Sequence, residues 1–148
     1  MSEEKTIEQI LAEEGKLVRT TAGVSMKPLF GDRRDTSIIV PPKGRLKKYD
    51  VPLYRRGEEY VLHRIVKVLP DSYVICGDNC ENYEYGIRDE DIIGVLTAFY
   101  RKDKFYTVDN KLYKLYSIYI VKTFRIRMLY RRTKRKLARA YRKVFPRK

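Results

Sequence analysis

Three short stretches of this chain carry side chains suited to acyl-transfer chemistry: Gly23-Val24-Ser25-Met26-Lys27-Pro28, Leu62-His63-Arg64-Ile65-Val66 and Cys76-Gly77-Asp78-Asn79. They supply a serine, the chain's only histidine and an acid. A seryl hydroxyl is a poor nucleophile until a neighbouring base takes its proton, and an imidazole is suited to that task near neutral pH. An acid on the far ring nitrogen fixes the tautomer and stabilises the imidazolium that forms. Gly23 and Pro28 bracket the serine, as expected where the backbone turns sharply and leaves a hydroxyl open. Lys27 and Lys67 are the alternative bases. Arg64 keeps its proton and is expected on the strand face opposite His63, in a structural role. On its own, Asp78-Asn79 reads better as a turn between two strands than as part of a relay.

The elements that must position these groups are legible as periodic segments. Alternation from Tyr60 to Val68 has period two and predicts one strand carrying His63. Further strands are predicted at Leu17 to Thr21, Thr36 to Val40, Asp50 to Tyr54, Tyr73 to Cys76, Asp91 to Tyr100 and Phe105 to Val108. Turns separate them at Pro41-Pro42-Lys43-Gly44, Arg55-Arg56-Gly57 and Leu69-Pro70-Asp71. Thr6-Ile7-Glu8-Gln9 has the form of a capping box opening a short helix that Gly15 stops. Short strands at this spacing predict a mostly-β chain with a curved antiparallel sheet or barrel.

Ser25-Met26-x-Pro28, Gly31-Asp32, Asp50-Val51, His63-Arg64-Ile65-Val66, Gly77-Asp78-Asn79 and Ile93-Gly94-Val95 follow one another as in the type I signal peptidase family. The chain resembles that family over about residues 19 to 101. Bacterial signal peptidases and LexA-like self-cleaving repressors use a lysine base, whereas archaeal and endoplasmic-reticulum signal peptidases use a histidine. His63-Arg64-Ile65 is similar to the histidine branch. The resemblance implies the same mostly-β fold, Ser25 as nucleophile and His63 as general base. It implies Asp78 as the acid, with Glu84 at the place of a second acid. An extended peptide would add to a sheet edge near Ser25, with small side chains beside the cleaved bond. The oxyanion would be held by backbone N–H groups, that of Ser25 and a donor from Gly23 to Val24.

Charge divides the 148 residues unevenly. Residues 1 to 110 hold 18 Lys and Arg against all 19 acids, while residues 111 to 148 hold 15 Lys and Arg and no acid. The expected organisation is therefore a peptidase-like domain over 1–108 and a basic amphipathic tail over 109–148. In the tail, Leu112, Leu115, Tyr116, Tyr119 and Ile120, and later Leu137, Ala140, Tyr141, Val144 and Phe145, recur at helical steps. Lys122, Arg125, Arg127, Arg131, Arg132, Lys134, Arg135 and Lys136 are its candidate contacts to an anionic membrane surface or a protein partner. Nucleic acid is the less favoured reading of the same charge. Truncation after Val108 is expected to spare activity.

No cofactor and no metal are expected. Cys76 and Cys80 with one histidine lack the ligands of a structural zinc site and make no disulfide framework. Cys76 reads as a buried strand residue and Cys80 as a loop residue. The opening Met1-Ser2-Glu3-Glu4-Lys5 is acidic and no apolar run of signal-peptide length follows it. Nor does a transmembrane helix precede the serine stretch, as it does in the family. The expectation is a serine endopeptidase in the cytoplasm or on the inner membrane surface, cleaving a peptide or a leader. The alternative is a non-catalytic peptide-binding module on the same fold, tethered by its tail. Self-cleavage, as in the repressors, would need a cleavable segment that Ala22-Gly23, so close to Ser25, does not provide.

Overall fold

The computed structural model describes residues 5–145, so residues 1–4 of the acidic opening lie outside it. In chain order the elements are α1 (Ile7–Glu14), β1 (Leu17–Thr20), β2 (Thr36–Val40), β3 (Pro52–Arg56), β4 (Glu59–Leu62), β5 (Arg64–Val68), β6 (Tyr73–Cys76), β7 (Glu84–Ile87), β8 (Ile92–Arg101), β9 (Lys104–Thr107), α2 (Lys111–Lys122) and α3 (Phe124–Val144). Strand and helix each make up about a third, 32% and 31%. The chain is therefore mixed rather than mostly β, because the helices together add nearly as much regular structure as the strands. The curved antiparallel sheet is present as a curled half-barrel.

α1 begins where its capping box predicts. Thr6 accepts from Gln9 N, the Gln9 side chain accepts from Thr6 N, and Gly15 ends the helix at φ +69°. Its apolar side, Ile7 and Leu11, closes one end of the main core with Met26, Phe30, Ile39, Leu53 and Phe99. The larger sheet runs β1-β2-β8-β3-β4, with β9 also paired to β8. β1 and β4 end this path as open edges, and β9, paired only with β8, is a third. A second sheet runs β5-β6-β7, and the pair of bonds between Ile65 and the Tyr49–Asp50 backbone ties it to the first.

The predicted single strand from Tyr60 to Val68 is divided at His63. β4 pairs with β3 in the first sheet and β5 with β6 in the second, so His63 lies where the chain crosses between them. Alternation continues through the crossing because both sides of it are buried. β7 was not predicted. Its Gly86, at φ +78°, and its exposed Tyr85 break any two-residue pattern.

The tail forms two helices, but they do not stand apart from the body. Asn110 caps α2 by accepting from Leu112 N and Tyr113 N. Tyr113, Ser117 and Ile120 of α2, then Phe124 and Met128 of α3, are buried. Phe124 stacks on Tyr83 with ring centroids 4.5 Å apart, and Met128 packs with it against Cys76. Burying each such side chain contributes about 1.5–3 kcal/mol. The predicted apolar stripe of α2 is mostly its outer side: Leu112, Leu115 and Tyr119 are exposed.

Candidate active site

Ser25 stands at the start of a turn, with Gly23 before it at φ +87°. Two anchors fix this loop. The Asn79 amide donates to Ser25 O at 2.8 Å, and Asn79 Nδ2 donates to Val24 O at 3.0 Å. On the other side, Asp32 Oδ1 accepts from Gly23 N at 2.7 Å. Behind Asp32 the carboxylate of Asp35, fully buried, accepts from Gly31 N, Lys102 N and the Arg34 guanidinium. Burial alone would raise the Asp35 pKa, but those donors outweigh it and hold it at about 2. The Gly31-Asp32 motif thus serves as a brace for the serine loop.

His63 is buried, with only 4% of its surface exposed. Its Nδ1 lies 2.9 Å from Glu84 Oε1, and the Tyr54 hydroxyl is 3.3 Å from the same nitrogen. Glu84 is in turn contacted by Arg56 at 3.4 Å. Nδ1–H donating to a carboxylate leaves Nε2 as the acceptor, and Nε2 lies beside Cys80, which with His63 lines the cleft. Burial lowers the His63 pKa below its ordinary value although the Glu84 contact opposes the shift. The imidazole is thereby a neutral base at neutral pH.

Ser25 and His63 line one cleft of about 690 Å³. The same cleft is lined by Leu17, Arg19 and Thr20 of β1 and by Glu59 to Leu62 of β4, so these two open edges of the sheet face it. Gly77 packs closely against Ser25, His63 and Cys80. A methyl group there would sit 2.7 Å from Ser25 O, 3.0 Å from His63 Nε2 and 2.6 Å from Cys80 Sγ, closer than side chains tolerate. Cys80 Sγ contacts Nε2 at 3.9 Å. Among the described residues the Ser25 hydroxyl makes no hydrogen bond, to His63 or to any other side chain. Catalytic hydrogen bonds are often long in the free enzyme and tighten when substrate binds.

The acids exchange the roles expected of them. Glu84, the second acid, is the one on His63. Asp78 faces away from the cleft and receives a bidentate pair from Arg64, Nε to Oδ1 at 2.8 Å and Nη2 to Oδ2 at 2.8 Å. Tyr116 also donates to Asp78 Oδ2, at 2.8 Å. Asp78 is therefore no orienting acid for His63, because Arg64 and Tyr116 engage both its oxygens. Arg64 is fully buried and reaches Ser117 Oγ at 2.8 Å, the Tyr113 hydroxyl at 3.2 Å and Tyr49 O at 3.1 Å. Burial opposes its charge, but Asp78 more than offsets that and raises its pKa. Burial and Asp78 likewise raise the Tyr116 hydroxyl, which stays a donor.

The expected oxyanion pair is also reduced. The Gly23 amide is engaged by Asp32, whereas the Ser25 amide has no partner among the described residues. Tyr54 and Cys80 complete the surroundings of His63 without having been expected there. Tyr54 could have been found from the β3–β4 hairpin, since it pairs with Val61 two residues before the histidine. Of the tail residues, Arg127 donates to Asp78 O, Arg131 to Asn79 O and Arg135 to Glu81, while Lys122, Arg125, Arg132, Lys134 and Lys136 are exposed. The chain matches no family model, no curated protein and no solved structure.

Proposed function

We propose that this protein is a serine endopeptidase similar to the histidine branch of the signal peptidases, with Ser25 as nucleophile, His63 as general base and Glu84 as the acid that orients it. The observation that carries the reading is the His63 geometry. A buried imidazole is tied through Nδ1 to Glu84, leaving Nε2 beside Cys80, and the histidine lines one cleft with Ser25 and Cys80. A purely structural histidine has no need of a free nitrogen beside a cleft of about 690 Å³.

In the mechanism, a precursor peptide lies extended along an open edge, β1 or β4, through main-chain hydrogen bonds. His63 Nε2 takes the Ser25 proton as Oγ attacks the peptide carbonyl. The Ser25 amide donates to the oxyanion. His63 then passes the proton to the leaving amine, and water hydrolyses the acyl-enzyme by the same route. No step draws on a metal or a cofactor.

The test is cleavage of a library of extended peptides, read by mass spectrometry, with wild type, Ser25→Ala and His63→Ala. Each substitution should lower kcat/KM by about 10³-fold or more. Equal turnover by all three proteins would sink the assignment. Peptide binding without turnover, indifferent to Ser25→Ala, would favour the peptide-binding module. One observation favours a second catalytic reading, a thiol nucleophile, because Cys80 Sγ contacts Nε2 at 3.9 Å whereas Ser25 Oγ makes no hydrogen bond to it. Activity that survives Ser25→Ala but not Cys80→Ala would select it.

A further inference from the structure

α2 and α3 are joined through a single residue. Thr123, at ψ 2°, is the break between them; Thr123 N donates to Tyr119 O and Arg127 N to Thr123 O, both at 2.9 Å, and the Arg127 guanidinium donates to Ile120 O, so the two helices are tied across the junction. One side of the two helices is seated on the body through Tyr113, Ser117, Ile120, Phe124 and Met128, with Arg131 and Arg135 continuing the same row to Asn79 and Glu81. The other side is apolar and open to water. Leu112, Leu115, Tyr119, Ile126, Leu129, Tyr130, Leu137, Tyr141 and Val144 are each more than half exposed; apart from the adjacent pair Leu129 and Tyr130 they follow one another at steps of three, four and seven, which places them on the outward side of α2 and of α3. Rows of basic residues border that stripe. Arg125, Arg132, Lys136 and Lys143 fall on one flank at helical spacing, Lys122 and Lys134 elsewhere along its length, and residues 111 to 148 contain no acid.

We infer that the outward side of α2 and α3 docks in the plane of an anionic lipid bilayer, with the apolar stripe in the headgroup boundary and the basic rows on the phosphates. The occupant follows from the combination. A nucleic acid would meet the basic rows and leave the apolar stripe wet. A second copy of the helix would cover the stripe but set Lys and Arg against Lys and Arg with no acid to relieve them. An anionic bilayer satisfies both parts at once. Among the described residues no helix is long and apolar enough to cross a membrane, which agrees with a helix that lies along the surface. The seated side holds the Asp78 and Asn79 carbonyls through Arg127 and Arg131, and Asn79 holds Ser25. One helix thickness, about 10–12 Å, then separates the lipid from the loop that anchors the serine. If the peptidase reading holds, its substrates are precursors presented close to a membrane surface; the docking itself does not rest on that reading.

The test is flotation of the full chain with vesicles of phosphatidylcholine alone or mixed with phosphatidylserine, at low and at raised salt. Wild type should float with the mixed vesicles at least tenfold more than with neutral ones, and lose most of that binding as salt rises. Ile126→Asp with Leu137→Asp, both at exposed positions, should abolish flotation and leave the circular dichroism spectrum unchanged. Gln at Arg132, Lys134 and Lys136 should weaken flotation, and Ser25→Ala should float like wild type, which separates this result from the fate of the peptidase reading. Wild type that stays unbound to mixed vesicles would overturn the inference. So would vesicle binding insensitive to the two aspartates, as would a dimer by light scattering that those aspartates dissociate.

Discussion

His63 and Arg64 are neighbours in the chain and each meets a carboxylate, yet the two sides of this one crossing are built for different purposes. On the cleft side, His63 meets Glu84, whose side chain is 22% exposed, and keeps one ring nitrogen without a firm partner. On the far side, Arg64 and Asp78 are at most 1% exposed and Tyr116, Ser117 and Tyr113 occupy the remaining donors and acceptors. What differs is how completely each pair is satisfied. A half-satisfied imidazole beside water can exchange a proton, whereas a charge pair with every atom bonded in a dry interior can only hold its neighbours in place. The Gly-Asp-Asn motif therefore serves the site from behind. Its aspartate fixes the loop whose asparagine fixes the serine.

The most forceful way to break the comparison is to remove one partner of the dry pair. Arg64→Ala leaves the Asp78 carboxylate buried without its counter-ion, and such a change costs about 3–5 kcal/mol. Urea denaturation should record that loss, together with release of α2 from the body, because Arg64 is bonded to both Tyr113 and Ser117. A loss below about 1 kcal/mol, within the range of an exposed ion pair, would mean that Arg64 and Asp78 are not the structural centre described here. The same pair revises the expectation for the tail. Truncation after Val108 removes Tyr113, Tyr116 and Ser117 and exposes this pair, so it should cost folding as well as any surface attachment.

Breaking the cleft-side pair should act on the chemistry instead. Glu84→Gln keeps the shape but removes the charge that orients His63 and stabilises its protonated form, and kcat should fall by about 10²-fold or more, with little change in urea stability. The pH profile adds a second readout. Burial lowers the His63 pKa and Glu84 raises it, so removing Glu84 lowers it further and the acid limb of kcat/KM should move to lower pH. The fold, for its part, disfavours the charged imidazole. The unfolded chain then binds more protons, and the stability that His63 contributes is present above the ordinary value of 6.5 and is lost as pH falls through the lowered folded value. An acid limb that moves upward, or stays where it is, would remove Glu84 from the relay.

Much of this division could be read from residue order, and the reason it could not all be read is geometric. Ser25, His63 and the motif around Asp78 stand out because turn residues and alternating apolar residues frame them locally. The partition of the acids does not, since it depends on which side of a sheet crossing each side chain leaves. The alternation from Val61 to Val66 runs through that crossing without a sign of it. The division of the tail into a seated and an open side was hidden for a related reason. In α2 the buried row contains Tyr113 and Ser117, polar-ended side chains chosen to meet a buried guanidinium, while Leu112 and Leu115 point to water. Apolar periodicity alone picks the leucines. A tyrosine, a second tyrosine three residues on and an adjacent serine form a polar-tipped row, and that row was the available signal of a charged partner in the body.

The smallest expected effect concerns Cys80, which occupies the cleft side without belonging to either pair. Its Sγ is 3.9 Å from His63 Nε2, a weak contact for sulfur, and burial raises its pKa, so at neutral pH it is a thiol and leaves the imidazole lone pair nearly free. With Ser25 as nucleophile, Cys80→Ala should change kcat/KM by less than about twofold, an effect far below that of losing a triad member. A thiol-alkylating reagent should nonetheless inactivate the wild type, because an adduct on Cys80 would fill the space in front of Nε2, and Cys80→Ala should be immune. Cys76 supplies the internal control. It is buried, its pKa is pushed up to about 12 by burial, and its Sγ donates to Asn82 O at 3.2 Å, so it should not react. Cleavage measured before and after alkylation, in wild type and Cys80→Ala, decides the matter. Loss of activity in Cys80→Ala comparable to that in His63→Ala would move the nucleophile from the serine loop to the thiol, and the cleft would then be a cysteine site braced by the same two acids.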